Sequence, residues 1–235
     1  MKKIIILGAI VALLAGCASE TKTKRELKGY RFQNEYAVSD PVEDERLTKD
    51  ITIDMYIMMH AYPRTWSNVI AKGNSKNDTE FCFRIKDSKE GQYFFGDGVR
   101  KFTVSFKTDE LFKLNRWQRI TLVRDMKKGE QKIYANGELV HKQRFRRKNN
   151  KGSQLTNMPI RIGCTLKRGK DMTVADVKIW SKVMPDSVIS IGWGEVENLN
   201  ADKSLVAYWS FEDLVGKKVE NLADSDLTLT IKRKK

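Results

Sequence analysis

Short stretches in which apolar and polar side chains alternate recur down most of this 235-residue chain, each ended by turn-forming residues. Alternation at period 2 puts successive side chains on opposite faces of an extended strand, so such stretches read as half-buried β-strands. Ile51 to Ile57, Phe81 to Ile85 and Phe102 to Phe106 follow the pattern, and Val69 to Ala71 runs into the turn-like Lys72-Gly73-Asn74-Ser75. Trp117 to Val123 forms a strand ended by Asp125 to Gly129, and Lys132 to Ala135 meets Asn136-Gly137 before Glu138 to Val140. Asn-Gly between two apolar runs specifies a tight hairpin, because a type I′ turn needs positive φ at both central residues. Pro159 to Ile162, Thr173 to Trp180, Leu205 to Phe211 and Leu227 to Ile231 complete the series, and only Pro185 to Ile191 suits a short helix. Antiparallel strands with so little helix predict an all-β sandwich or barrel.

Quoted in order, these segments resemble a known family. Gly29 to Tyr36, Leu47 to Ile53 and Val69 to Asn74 are similar to the opening of the laminin-G-like, concanavalin A-like jelly-roll domains of bacterial surface proteins. The likeness continues through Asn115-Arg116-Trp117, Ile133 to Gly137, Pro159 to Gly163, Val174 to Trp180 and Leu205 to Phe211. It spans nearly everything from Gly29 to Ile231 and implies an antiparallel jelly-roll β-sandwich over residues 29–235.

The N-terminus carries an address. Met1-Lys2-Lys3, the apolar run Ile4 to Leu14 and then Ala15-Gly16-Cys17 are laid out as a bacterial secretion signal, too short to span a bilayer. Leu14-Ala15-Gly16-Cys17 resembles a lipobox, which implies cleavage after residue 16 and lipidation of Cys17. Residues 17–28 are charged and almost free of apolar side chains, so they form a flexible spacer. The expected location is the bacterial cell envelope, tethered to a membrane by lipid, at the outer membrane or cell surface and facing periplasm or exterior. That address excludes intracellular nucleic-acid work.

Function is less explicit. Several families of this fold are glucanases with paired carboxylates, but their strand motifs, Glu-x-Asp-x-Glu or Glu-x-Asp-x-x-Glu, do not occur. Glu195-Val196-Glu197 and Asp224-Ser225-Asp226 lack the third carboxylate, and two distant histidines, His60 and His141, offer little to zinc or to His-based catalysis. The chain reads as a non-catalytic binding module for carbohydrate or a protein partner. Family resemblance also implies calcium at a sandwich rim. Asn74 to Thr79, Asp97-Gly98 and Asp171 offer oxygen ligands, though Asp97-Gly98 equally reads as a plain turn.

Sugars stack on flat aromatic side chains. Trp117, Trp180 and Trp209 sit in strands at positions the family fills with core aromatics, whereas Tyr62 and Trp66 bracket a loop and Trp193 lies between Gly192 and Gly194. Tyr62, Trp66 and Trp193 are therefore the candidate ligand contacts, with closure of the sandwich end as the alternative role for a loop aromatic. A second surface is electrostatic. The formal charge is +14, and no acidic residue occurs between Leu139 and Lys170. Lys142, Arg144, Arg146, Arg147 and Lys148 head this stretch, read as a loop that is either solvated or docked on an anionic envelope polymer. Strand parity sets Cys82 with Arg84 opposite Phe81, Phe83 and Ile85, and Cys164 with Ile160 and Ile162, which argues against a bridge between them.

Overall fold

The computed structural model describes residues 27–73, 78–145, 152–163, 171–191, 202–212, 214, 216–223 and 225–233. Among the described residues fifteen strands follow one another, beginning with β1 (Tyr30–Gln33), β2 (Glu35–Ser39), β3 (Ile51–Ala61), β4 (Ser67–Lys72) and β5 (Phe81–Ile85). Next come β6 (Gly91–Gly96), β7 (Lys101–Phe106), β8 (Trp117–Asp125), β9 (Glu130–Ala135) and β10 (Glu138–Arg144). The last five are β11 (Ile160–Ile162), β12 (Asp171–Trp180), β13 (Leu205–Ser210), β14 (Lys218–Val219) and β15 (Leu229–Arg233). Two short helices, α1 (Thr108–Leu111) and α2 (Asp186–Ile191), interrupt them.

Two antiparallel sheets form the sandwich. The first runs β1-β12-β3-β8-β9-β10 with β13 also on β12, and the second runs β14-β15-β2-β11-β4-β5-β6-β7. Neighbours distant in sequence, such as β3 with β12 and β2 with β15, give the crossed connectivity of a jelly roll. Alternation decides what each face meets. Ile51, Ile53, Met55, Ile57 and Met59 of β3 point inward with Ile120 and Leu122 of β8, and they pack on Val69, Phe81, Phe83 and Ile85 of the second sheet. Residues of the other parity face away from this core. A smaller cluster on the outer side of the first sheet joins Val123, Tyr134 and Trp180 to Ile189 of α2, so α2 covers part of that face.

The expected hairpin forms as the sequence reads. Asn136 and Gly137 have φ of 52° and 88°, and Glu138 pairs with Ala135 across the turn. The basic segment departs from expectation at its start. Lys142 and Arg144 belong to β10 rather than a loop, because Gln131 and Glu130 in β9 continue the ladder opposite Gln143 and Arg144. Arg146, Arg147 and Lys148 lie outside the described residues, as do Cys17, Cys164 and Trp193. Among the described residues no helix is long and apolar enough to cross a membrane.

Polar groups inside the sandwich end are tightly partnered. The fully buried Lys72 ammonium donates to the Glu80 carboxylate at 2.5 Å and to the Thr156 carbonyl at 2.7 Å. Fully buried Arg124 donates to the carbonyls of Leu47, Lys49 and Glu80 and lies 4.8 Å from the Phe95 ring centroid. These contacts tie the segment around residues 152–156 and the Leu47 turn to the strands.

Candidate functional site

An open cleft of about 520 Å³ lies at the β7 end of the second sheet, and Trp66 forms part of its wall. The residues that build it come from separate elements. Trp66 ends the β3–β4 loop, Gln92 and Ser105 come from the outer rows of β6 and β7, and Glu110 and His141 come from α1 and β10. Register explains the convergence. Asn68, Arg84, Gln92 and Ser105 are cross-strand neighbours on β4, β5, β6 and β7, all of the parity that faces away from the core.

The β5–β6 turn is held by Asp87, whose carboxylate accepts the backbone amides of Lys89 and Glu90. The Thr108 hydroxyl donates to the Glu90 carbonyl and the Asp109 amide to the Ser88 carbonyl, which docks α1 against that turn. Phe106 lines the cleft from below. It stacks on Phe83 with ring centroids 5.4 Å apart and lies 5.9 Å from the His141 ring. Gly91 permits this placement, because a Cβ there would meet the Phe106 ring at 2.0 Å.

Charge at the cleft is mostly paired. Glu90 binds Lys86 at 2.9 Å, and Glu110 lies 3.7 Å from Lys107 and 3.1 Å from His141 Nε2. Both carboxylates are exposed, at 52% and 42% of their side-chain surface. A glycosidase general acid needs a carboxyl taken out of water, so this pair is not arranged as one. Arg84 stands at the cleft border with its guanidinium 4.2 Å from the Trp66 ring centroid and 4.8 Å from that of Phe94. Its Nε and Nη2 donate to Gln92 Oε1 at 3.1 and 2.6 Å, and Lys101 donates to the same oxygen at 3.2 Å. A second hollow, lined by Glu45, Arg46, Thr48 and Lys49 among others, has no aromatic wall among the described residues.

The sequence candidates fare unequally. Trp66 is half-exposed and lines the cleft, whereas the Tyr62 hydroxyl donates to the Phe112 carbonyl at 2.8 Å and its ring packs on the core. Burial, with Asp109 adding, pushes the Tyr62 hydroxyl pKa up. Tyr62 therefore closes the sandwich end. Trp180 and Trp209 are buried, but Trp117 is half-buried at the start of β8 and belongs to neither large core cluster, against its expected core role. Lys142 and Arg144 share one carboxylate, Glu130, at 2.8 and 3.3 Å. The Lys142 hydrogen bond, with Arg144 adding and burial opposing, holds the Glu130 carboxyl below the usual range.

The calcium expected from resemblance does not fit at Asp97 or Asp171, and of the third candidate loop, Asn74 to Thr79, residues 74–77 lie outside the described residues. The Asp97 carboxylate accepts the amides of Val99 and Arg100 and pairs with the Arg100 guanidinium at 3.0 Å. Asp171 pairs with Arg31 through both oxygens, at 2.8 and 2.7 Å. Guanidinium groups thus take the carboxylates a cation would need, and no group of three or more His, Cys, Asp or Glu among the described residues is placed to hold a metal.

Comparison with known proteins agrees with this architecture. The family described as the concanavalin A-like lectin/glucanases superfamily, laminin G type 3, matches residues 33–190. The chain belongs to that superfamily. No curated protein matches it. Among solved structures it is similar to the receptor-binding domain of botulinum neurotoxin mosaic serotype C/D, with a TM-score of 0.52 and 17% identity over 71% of this chain and 44% of that one. The botulinum neurotoxin DC binding domain, solved with rat synaptotagmin II, gives 0.51 and 14% over 71% and 45%. A botulinum neurotoxin type C structure, whose cell entry depends on two ganglioside molecules, gives 0.50 and 15% over 71% and 45%. The chain thus spans less than half of those chains, and the likeness is one of fold.

Trp66 is legible in the sequence as a loop aromatic and the structure places it on the cleft wall, whereas which residues surround it is not legible there. Arg84 was legible as outward-facing, yet its contact with Trp66 depends on β4 pairing with β5, and His141 reaches the cleft only because β10 approaches β7.

Proposed function

We propose that this chain is a lipid-anchored, non-catalytic binding module of the bacterial cell envelope, and that its Trp66 cleft takes a glycan. The observation that carries this reading is the row of outward polar side chains, Asn68, Arg84, Gln92 and Ser105, ending beside a half-exposed Trp66. A sugar ring presents an apolar C–H face to an aromatic plane and hydroxyls to neighbouring donors and acceptors. A tryptophan flanked by amides and hydroxyls on rigid strands meets both needs. The botulinum binding domains, which engage gangliosides or synaptotagmin, lend general support to a binding role on this fold; what they bind is not carried over, because function resides in sites rather than folds.

The anchor rests on the lipobox-like Leu14-Ala15-Gly16-Cys17. One acyl chain gives only marginal membrane binding and several give a stable tether. Metabolic labelling of the full chain with a fatty-acid analogue should mark the protein, and Cys17→Ala should abolish the label and release the protein from membranes.

For the glycan, the full chain with Cys17→Ser would be screened against neutral and acidic oligosaccharides at low and moderate salt. Binding that survives salt and is lost with Trp66→Ala supports the reading. Binding confined to anionic polymers at low salt, indifferent to Trp66→Ala, overturns it in favour of the basic stretch around Lys142 and Arg144.

A further inference from the structure

We propose that the ligand of the Trp66 cleft carries a carboxylate, held by Arg84. This rests on the glycan reading above and adds its chemical class.

The argument begins with charge accounting. Glu90 and Glu110 at the cleft each have a cationic partner. Arg84 differs: no carboxylate lies within 4 Å of it among the described residues, and its only hydrogen-bond acceptor there is the neutral Gln92 amide oxygen. Lys101 donates to that same oxygen, so two cations converge on one uncharged acceptor. The Arg84 charge is thus one that no carboxylate of the described residues offsets, and it favours an anion beside it.

Geometry makes Arg84 a recognition group. Trp66 and Phe94 flank its guanidinium, while Gln92 engages Nε and one proton of Nη2. Those contacts fix the plane of the fork and restrict its rotamers. The Nη1 group and the remaining Nη2 proton stay available, the end-on pair of donors that meets both oxygens of a carboxylate. A lysine could supply the charge but not this planar, bidentate match. Arg84 is half-buried and held by two rings and an amide. Arg84 covers one face of the Trp66 indole at the cleft border, so a ligand against Trp66 and Gln92, which both line the cleft, meets the guanidinium at its edge rather than across its plane.

The test uses the full chain with Cys17→Ser and a panel of uronate-containing oligosaccharides, each beside its carboxyl-reduced counterpart, with sulfated neutral oligosaccharides as a third arm. Titration calorimetry should show uronate forms binding at least about tenfold more tightly than the reduced forms, the scale of one charge-assisted contact. Arg84→Gln should erase that preference, bringing the uronate and reduced forms to the same affinity. Arg84→Lys should restore only part of it. Equal binding of acid and reduced forms, both lost with Trp66→Ala, would overturn the carboxylate assignment and leave the glycan reading standing. Preference for sulfated over uronate sugars would also overturn it. Failure of every oligosaccharide to bind would overturn the glycan reading, and this assignment with it.

Discussion

Lys72 and Glu80 form an ion pair from which water is fully excluded, with ammonium and carboxylate 2.5 Å apart and both side chains at 0% exposure. The pair is bound into its surroundings from both sides. Glu80 Oε1 also accepts the Thr156 amide and hydroxyl at 2.9 Å, and the Lys72 ammonium reaches the Thr156 carbonyl. Removing one partner of such a pair strands a buried charge, which destabilises by about 3–5 kcal/mol, whereas replacing both with apolar groups is much better tolerated. Lys72→Ala should therefore lower stability strongly in urea denaturation, and Lys72→Met combined with Glu80→Leu should recover most of the loss. A double variant as unstable as the single would show that the tie to Thr156, rather than the stranded charge, sets the cost.

Tyr93 supplies a test on the alkaline side. Its ring is buried and its hydroxyl has no hydrogen-bond partner among the described residues. Burial pushes the phenol up to about 12, with Arg124 opposing. The folded state thus holds this proton more tightly than the unfolded chain, whose phenols titrate near 10. The resulting stability is complete below about pH 10 and is lost as pH rises toward 12. Tyr93→Phe removes an unsatisfied buried hydroxyl, so it should leave stability at pH 7 unchanged or raise it by about 1 kcal/mol. It should also move the alkaline unfolding midpoint upward, read by circular dichroism, and an unmoved midpoint would assign alkaline unfolding to other groups.

Gly91 controls the cleft. A methyl group there would collide with the Phe106 ring, which is locked between Phe83 and the region of His141. Overpacking of this kind typically costs about 1–3 kcal/mol. Gly91→Ala should lower the thermal midpoint and displace Phe106 from beneath the cleft, so glycan binding should fall more than it does in Ser88→Ala, a change on the same turn that leaves Phe106 in place. Equal affinities in the two variants would dissociate the cleft from ligand binding.

What the sequence could and could not disclose follows from where the physics resides. Turn chemistry and alternation are local, so Asn136-Gly137 and the strands around Ile53, Phe83 and Ile120 were legible, as was α2. β6 was not, because Tyr93, Phe94 and Phe95 are consecutive aromatics and all three are buried. Phe94 faces outward yet is covered, with the cations of Arg84 and Lys101 over its ring, so the polar half of the alternation is missing. β10 misled in the opposite direction, since its basic side chains are exposed on both sides and carry no core signature. The cleft needed long-range register. Trp66 stood out as a loop aromatic, but which cation lay against it could not be read before β4 and β5 were paired.

The Arg31–Asp171 pair gives the last prediction, at the edge where β1 joins β12. Arg31 lies opposite Thr173, and its guanidinium engages both oxygens of Asp171 two residues away. The hydrogen bond from Arg31, with Gln33 and His60 adding and burial opposing, holds the Asp171 carboxyl below the usual carboxylate range. A depressed carboxyl contributes stability that is present above its unfolded pKa, near pH 4, and is lost as pH falls through its lower folded value. Arg31 is half-exposed, so solvent screens the pair and the effect should be local rather than global. Asp171→Asn should therefore speed amide exchange in β1 at pH 7 while leaving exchange in β3 and β8 nearly unchanged. Raising salt should narrow the difference between variant and parent. The β1 exchange rates of the two proteins should converge below about pH 3, where the carboxylate is protonated in the unfolded chain and increasingly so in the folded one. A variant that remains equally destabilised at pH 2 would show that Asp171 acts through the shape of the β1 seam rather than through its charge.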